Sequence, residues 1–343
     1  MATTRIATSL FLALTITSLI FGATFVSHGQ VNSKKVAYRL SGPFTHRNLT
    51  IFLVHGKNLI DSKNFITLQE ALAQKRVIVY ETKDVNELAI RNLSTRDIYV
   101  QAGDIVKGGD QDRMISVDFI VPPNSGRMPI AAFCVESGRW SRRGSEVNAS
   151  FSSSDNAVTS KDIKLAAKKA NSQGGVWETV SVTQSKLSQS VGATVNSSLS
   201  SSSLELAVEN RSVKEKVSSY IDAFSGIVRP QSDVIGYVFA INGQVNSADI
   251  YSSNALFTKL WPKLLKASSI EALAEANHGS DSVAIQKGAV LDFLAESEKV
   301  AASEKEVNNR VRLITREADK SIFFETRDLQ NNEAWIHRNY IKK

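Results

Sequence analysis

The sequence predicts an α+β fold: an antiparallel, β-rich sandwich or barrel-like sheet, with several packed helices supplied by the C-terminal half. Three observations lead there. Short β-branched runs follow one another between residues 36 and 140 with a single short helix among them. Amphipathic spacing with capping residues takes over from 213 to 308. A strand pattern returns from 310 to 340. With 343 residues, 42% of them hydrophobic, the chain can bury a large core, so disorder is excluded for most of it.

The first 29 residues read as a signal peptide. Arg5 precedes an apolar run from Leu10 to Val26, and the small residues Ser27 and Gly29 suit cleavage before Gln30. A retained anchor helix is the alternative, because the run is about long enough to span a bilayer. No other segment approaches a membrane span, and residues 30–343 read as one domain outside the cytoplasm, with no membrane contact after cleavage.

Strands are expected at Val77–Thr82, Glu87–Arg91, Asp97–Gln101 and Arg113–Val121. In the last, Ile115, Val117, Phe119 and Val121 share one face. Phe65, Leu68 and Leu72 place a helix within Asn64–Gln74. From Arg142 to Ser212 the composition turns to Ser, Asn and Lys, which predicts long surface loops broken by a strand at Val176–Val182. Ser212 and Glu215 form a capping-box pattern ahead of a helix carrying Val213, Val217, Tyr220 and Phe224. Asn242-Gly243 predicts a hairpin after Asp233–Ile241. Further helices are expected after Asn254, kinked at Pro262, from Ser268 to Gly279, and from Ala289 to about Val307. Three short strands, 310–315, 321–326 and 334–338, close the chain.

The net charge is +7, or +6 once Arg5 is removed (7 − 1). This modest excess favours anionic partners, yet no Lys/Arg stripe is interleaved with aromatics, so no nucleic acid is expected. The single cysteine, Cys134, excludes an intrachain disulfide and reads as a buried strand residue. Ile51-Phe-Leu-Val-His-Gly56 has the look of an α/β-hydrolase oxyanion turn, but no glycine has Ser two residues later, so the nucleophile elbow is absent. His55 reads instead as a loop or strand-end residue. Gly103–Gly108 has half the spacing of a phosphate loop but lacks its lysine and hydroxyl. The histidines are scattered, so no metal and no cofactor is expected.

The densest chemistry is Gln101-Ala-Gly-Asp-Ile-Val-Lys-Gly-Gly-Asp-Gln-Asp-Arg113, followed by Cys134-Val-Glu-Ser-Gly-Arg-Trp140. Glycines permit a tight turn that exposes amides, Gln111 and Arg113 carry planar donors suited to phosphate or carboxylate, and Glu136 suits a general base. A connecting turn whose charges pair among themselves accounts for the same residues.

These two segments, with Val121-Pro-Pro, Val176-Trp177, Val234–Gly243 and Ile336-His-Arg-Asn-Tyr340, resemble the ARG-and-Rhodanese-Phosphatase-superfamily-associated protein (ARPP) domain family. The likeness runs from about Gly42 to Tyr340. It implies an association with ADP-ribosylglycohydrolase proteins, and so an anionic, ADP-ribose or nucleotide-derived small molecule. Carried over residue by residue, the motif positions are Gln111, Arg113, Arg139 and Trp140 as ligand contacts and Glu136 as general base, with Trp177 and His337 lining the same region. A binding module for such a ligand is the leading expectation; a hydrolase acting on it and a purely structural interaction protein are the alternatives.

Overall fold

Asn242 and Gly243 both take positive φ, 51° and 74°, as a two-residue hairpin turn requires. They join β12 (Val234–Ile241) to β13 (Gln244–Tyr251). In the computed structural model, which describes residues 38–60, 65–139, 151–158, 160–229, 231–276 and 284–343, this hairpin lies inside an eight-stranded antiparallel sheet. On one side it is extended by β2 (Leu49–His55) and β1 (Arg39–His46). On the other come β17 (Ala334–Lys342), β16 (Ser321–Asp328), β15 (Val311–Glu317) and β14 (Ala302–Glu306). The terminal strands thus dock in the same sheet as the first ones. The proposed signal segment lies outside the described residues.

A six-stranded sheet follows the order β11 (Ser152–Ala157), β7 (Asp104–Lys107), β8 (Arg113–Ile115), β10 (Met128–Cys134), β5 (Glu87–Asn92) and β4 (Val77–Glu81). A third sheet joins β3 (Ile66–Thr67), β6 (Ile98–Val100) and β9 (Phe119–Val121). With seven helices among the described residues, the α+β class holds. The strand expected across 113–121 is broken at Ser116–Asp118, because the Asp118 carboxylate turns inward to accept the Ala102 N–H at 2.8 Å.

Helices replace most of the expected Ser-rich loops. α2 (Lys161–Lys168), α3 (Gln173–Val191) and α4 (Leu204–Val208) are capped by Ser160, Ser172 and Ser203. The strand expected at Val176–Val182 is part of α3. Val176, Val180 and Leu187 are buried at helical spacing, and hydroxyls are satisfied along the helix itself, as in Thr183 to the Thr179 carbonyl at 2.8 Å. α5 (Arg211–Phe224) is capped by Asn210 instead of Ser212. α6 (Asn254–Ala274) is one helix, capped by Ser253, that continues through Pro262 and Ser268. α7 (Lys287–Ser297) is shorter than expected because β14 takes 302–306.

The eight-stranded sheet is covered on both faces. On one, Tyr237 packs with Phe257 and Trp261 of α6 and belongs to the same core as Tyr220 and Phe224 of α5. On the other, Val290 and Leu294 of α7 share a core with Phe52, Val238 and Tyr340. α1 (Leu68–Ala73) opens with a capping box between Thr67 and Glu70 and joins the core of the smaller sheets. None of the described helices is long and apolar enough to cross a membrane.

Candidate functional site

The glycine turn joins β7 to β8, with Gly108 and Gly109 at φ 114° and 58°. Asp112 holds it closed: one carboxylate oxygen accepts the Gly108 N–H at 3.0 Å and the other the Ser203 hydroxyl at 3.2 Å. The Asp112 N–H donates to Glu136 at 3.2 Å. Glu136, just beyond β10, takes Arg139 on both oxygens at 2.8 Å, and Arg139 also reaches the Gly109 carbonyl at 3.3 Å. Burial works against the Glu136 anion, but Arg139 outweighs it and keeps the carboxyl below its ordinary range.

Arg113 reaches the same turn from its other side. It donates to the Val85 carbonyl at 2.8 Å and to Glu81 at 3.2 Å, while Glu81 accepts the Asp110 N–H at 3.2 Å. Both guanidinium groups therefore flank Gly109-Asp110, each with its own carboxylate. Gln111, Arg113 and Glu136 are buried. Two groups stay unsatisfied there: the Gln111 side-chain amide, on both its oxygen and nitrogen, and the Arg113 Nε. Trp140 lies outside the described residues. Cys134 is buried, and desolvation pushes its thiol up to about 11, as suits an inert side chain.

His337 lies elsewhere, in a charged layer that sequence reasoning did not assemble. Its Nδ1 meets Asp118 at 2.8 Å and its Nε2 meets Asp249 at 3.1 Å, and Tyr251 stacks on the ring at 4.6 Å. Thr326 donates to Asp118 at 2.6 Å, and Asn339 donates to Asp249 at 2.8 Å. Lys168 of α2 closes the cluster, its Nζ donating to the Asn339 side-chain Oδ1 at 3.1 Å and lying 4.0 Å over the Phe324 ring. Burial opposes the imidazolium, but the two aspartates prevail and raise His337 to about 8. Burial likewise disfavours the Lys168 cation, and here it prevails, lowering the amine to about 8. With both ring nitrogens engaged, His337 is a clamp between layers and has no nitrogen left for substrate. The signal available in the sequence was alternation: Asp249 and Tyr251, Phe324 and Thr326, His337 and Asn339 each fall two apart and so share one face of their strand.

A scan against protein-family models matched the ARG and Rhodanese-Phosphatase-superfamily-associated Protein domain over residues 37–341. The chain belongs to this family. No curated protein and no solved structure matched the chain.

Two cavities of the ARPP domain differ in size and charge. One, of ≈ 10 Å³, has room for about a single water and is lined by Gln101, Lys164, Tyr237, Ser268 and Glu271. The other is a groove of ≈ 220 Å³ between α2, α3 and α6, whose lining includes Asp162, Glu178, Glu271 and Glu275 against one lysine, Lys186. Four carboxylates give that groove the wrong sign for an anion. Neither cavity is lined by the glycine turn, whose unpartnered donors, the Gln111 side-chain amide and the Arg113 Nε, are buried. Among the described residues there is no cluster of three His, Cys, Asp or Glu side chains suited to a metal.

Proposed function

We propose that this ARPP domain is exported and works as a binding module for a small anionic ligand, of the ADP-ribose or nucleotide-derived class, at the glycine turn. The observation that supports the reading most directly is the Gln111 amide. It is fully buried with neither polar atom partnered, and two residues on the Arg113 Nε is buried and unpartnered too. Native proteins seldom leave buried polar groups unpaired, because each such group costs about 1–3 kcal/mol. A planar anion would accept from the Gln111 Nε2 and the Arg113 Nε, and a hydroxyl on the same ligand would donate to the Gln111 Oε1. The nucleotide-derived class rests on the family's association with ADP-ribosylglycohydrolase proteins, and export rests on the leader pattern of residues 1–29.

Binding is favoured over hydrolysis by the state of Glu136, whose two oxygens are held by Arg139 and the Asp112 N–H. A carboxylate so occupied is poorly placed to take a proton from water. Thermal-shift measurements with ADP-ribose, AMP and an acidic sugar test the proposal. At one hundred times Kd, a ligand bound only by the native chain adds about 2.7 kcal/mol. The shift should disappear in Gln111→Ala and Arg113→Ala and persist in Glu136→Gln. The absence of a shift with all three ligands would overturn the reading.

A further inference from the structure

β2 lies between β1 and β12, so three residues far apart in sequence come together at one end of the eight-stranded sheet. Arg39 of β1 is registered opposite His55, the last residue of β2, and Ser41 follows Arg39 two positions on, on the same side of the strand. Asp233 immediately precedes β12, whose Val234 is registered with His55. The result is a linear relay. Ser41 Oγ is 2.8 Å from His55 Nε2, and His55 Nδ1 is 3.0 Å from Asp233 Oδ1. The second Asp233 oxygen is bound by the Arg39 guanidinium.

This order of contacts is that of a nucleophile, a base and the group that orients the base, and such a constellation is recognised by geometry whatever the sequence motif. Both distances fall within the range of about 2.6–3.2 Å that proton transfer requires. His55 is buried, at 4%, while Ser41 keeps contact with solvent and the Asp233 side chain is half exposed. A β-bulge between Ser41 and Phe44 displaces the strand at the serine, and bulges re-aim side chains in this way. Gly42, at φ +99° with its Cβ position 2.9 Å from the Ile51 carbonyl oxygen, leaves no room for a side chain there. Among the described residues β1 is the outer strand of the sheet, so no further strand of the sheet covers the serine side.

We propose that Ser41, His55 and Asp233 form a catalytic relay for cleavage of a carboxylic ester, at a site separate from the glycine turn and independent of the binding reading given above. Ser41 Oγ attacks the carbonyl carbon and its proton passes to His55 Nε2. The ester C–O bond then breaks, and His55 returns that proton to the departing alkoxide. Water, deprotonated by the same nitrogen, attacks the acyl-serine and restores the hydroxyl. Asp233, steadied by Arg39, is the positioning residue that holds the imidazole with Nε2 toward Ser41.

A fluorophosphonate probe, followed by peptide mass spectrometry, reads the nucleophile directly. One equivalent is expected per native chain, on Ser41, with labelling slowed 10²-fold or more in His55→Gln. p-Nitrophenyl acetate should give a burst of p-nitrophenol that is absent in Ser41→Ala, a change that removes only a partly exposed hydroxyl. Ser41 labelled no faster in the native chain than in the urea-unfolded one would overturn the relay, and that comparison needs no variant to fold. An unchanged rate in a folded His55→Gln would overturn it as well.

Discussion

A glycine in the middle of an apolar strand is a weak residue unless something needs the missing side chain, and Gly236 shows what does. It sits in β12, and a Cβ placed on it would lie 2.4 Å from the Asp249 carbonyl oxygen and 2.7 Å from the Ile250 Cα, both backbone atoms of β13. Backbone cannot move aside as a flexible side chain does. Gly236→Ala is therefore expected to destabilise the chain by about 1–3 kcal/mol, read as a lower urea midpoint with an unchanged slope. At this scale the sequence was informative about conformation and much less so about partners. Asn242-Gly243 announced its turn, because positive φ is a property of the residues themselves. The 2.8 Å approach of Ser41 to His55 was not legible, because it depends on which strand is inserted between β1 and β12. The motif residues Gln111, Arg113, Glu136 and Arg139 could be named from sequence. The pairing of Arg139 with Glu136 is the neutralisation expected within the motif, but that of Arg113 with Glu81 was not legible, since Glu81 lies 32 residues earlier in the chain.

Among elements, β4, β5 and the β12–β13 hairpin were read correctly, as was α5, but the Ser-rich helices α2, α3 and α4 were not. α3 was expected as loops around a strand because serine and threonine dominate it, and in isolation those residues favour caps and turns. It folds as a helix because Val176, Val180 and Leu187 fall on one buried stripe and Ser172 and Gly192 stop its two ends. Packing overrode propensity there. The joints between elements depend on charge as much as on apolar burial. Arg310, just before β15, binds Asp328 of β16 through two hydrogen bonds of 3.1 Å and Asp97, ahead of β6, through bonds of 2.5 and 2.9 Å. It ties the eight-stranded sheet to the small one. Replacing it with alanine leaves the buried Asp328 carboxylate unpaired, so Arg310→Ala should cost about 3–5 kcal/mol in equilibrium unfolding. Arg310→Lys should recover little of that, because one ammonium lacks the fork that serves two carboxylates.

The whole molecule carries its charges unusually deep, and this gives its stability a distinctive dependence on pH. The Asp118–His337–Asp249 clamp holds the imidazole at about 8, above its ordinary value of about 6.5. Its stabilisation is complete below the unfolded value and is lost as pH rises from about 6.5 through 8, where the native state binds more protons than the unfolded chain. Lys168 acts with the opposite sign. Its amine is depressed to about 8, against about 10.4 when unfolded, so between those values the unfolded chain binds more protons and stability rises with pH. Above about pH 10 the buried Tyr99, Tyr237, Tyr251 and Tyr340, all raised by desolvation, retain protons that the unfolded chain gives up, and stability falls again. A trough near pH 8 between two more stable regions is thus expected in urea unfolding measured from pH 6 to 11. His337→Gln, which keeps a hydrogen-bonding side chain but cannot carry the charge, should be less stable at pH 6 and show a flattened limb between 6.5 and 8. Lys168→Met should remove the recovery above 8 and leave the first limb in place. If the wild-type profile instead rises steadily across 6.5 to 8, the imidazolium is not what joins the loop at Asp118 to the large sheet.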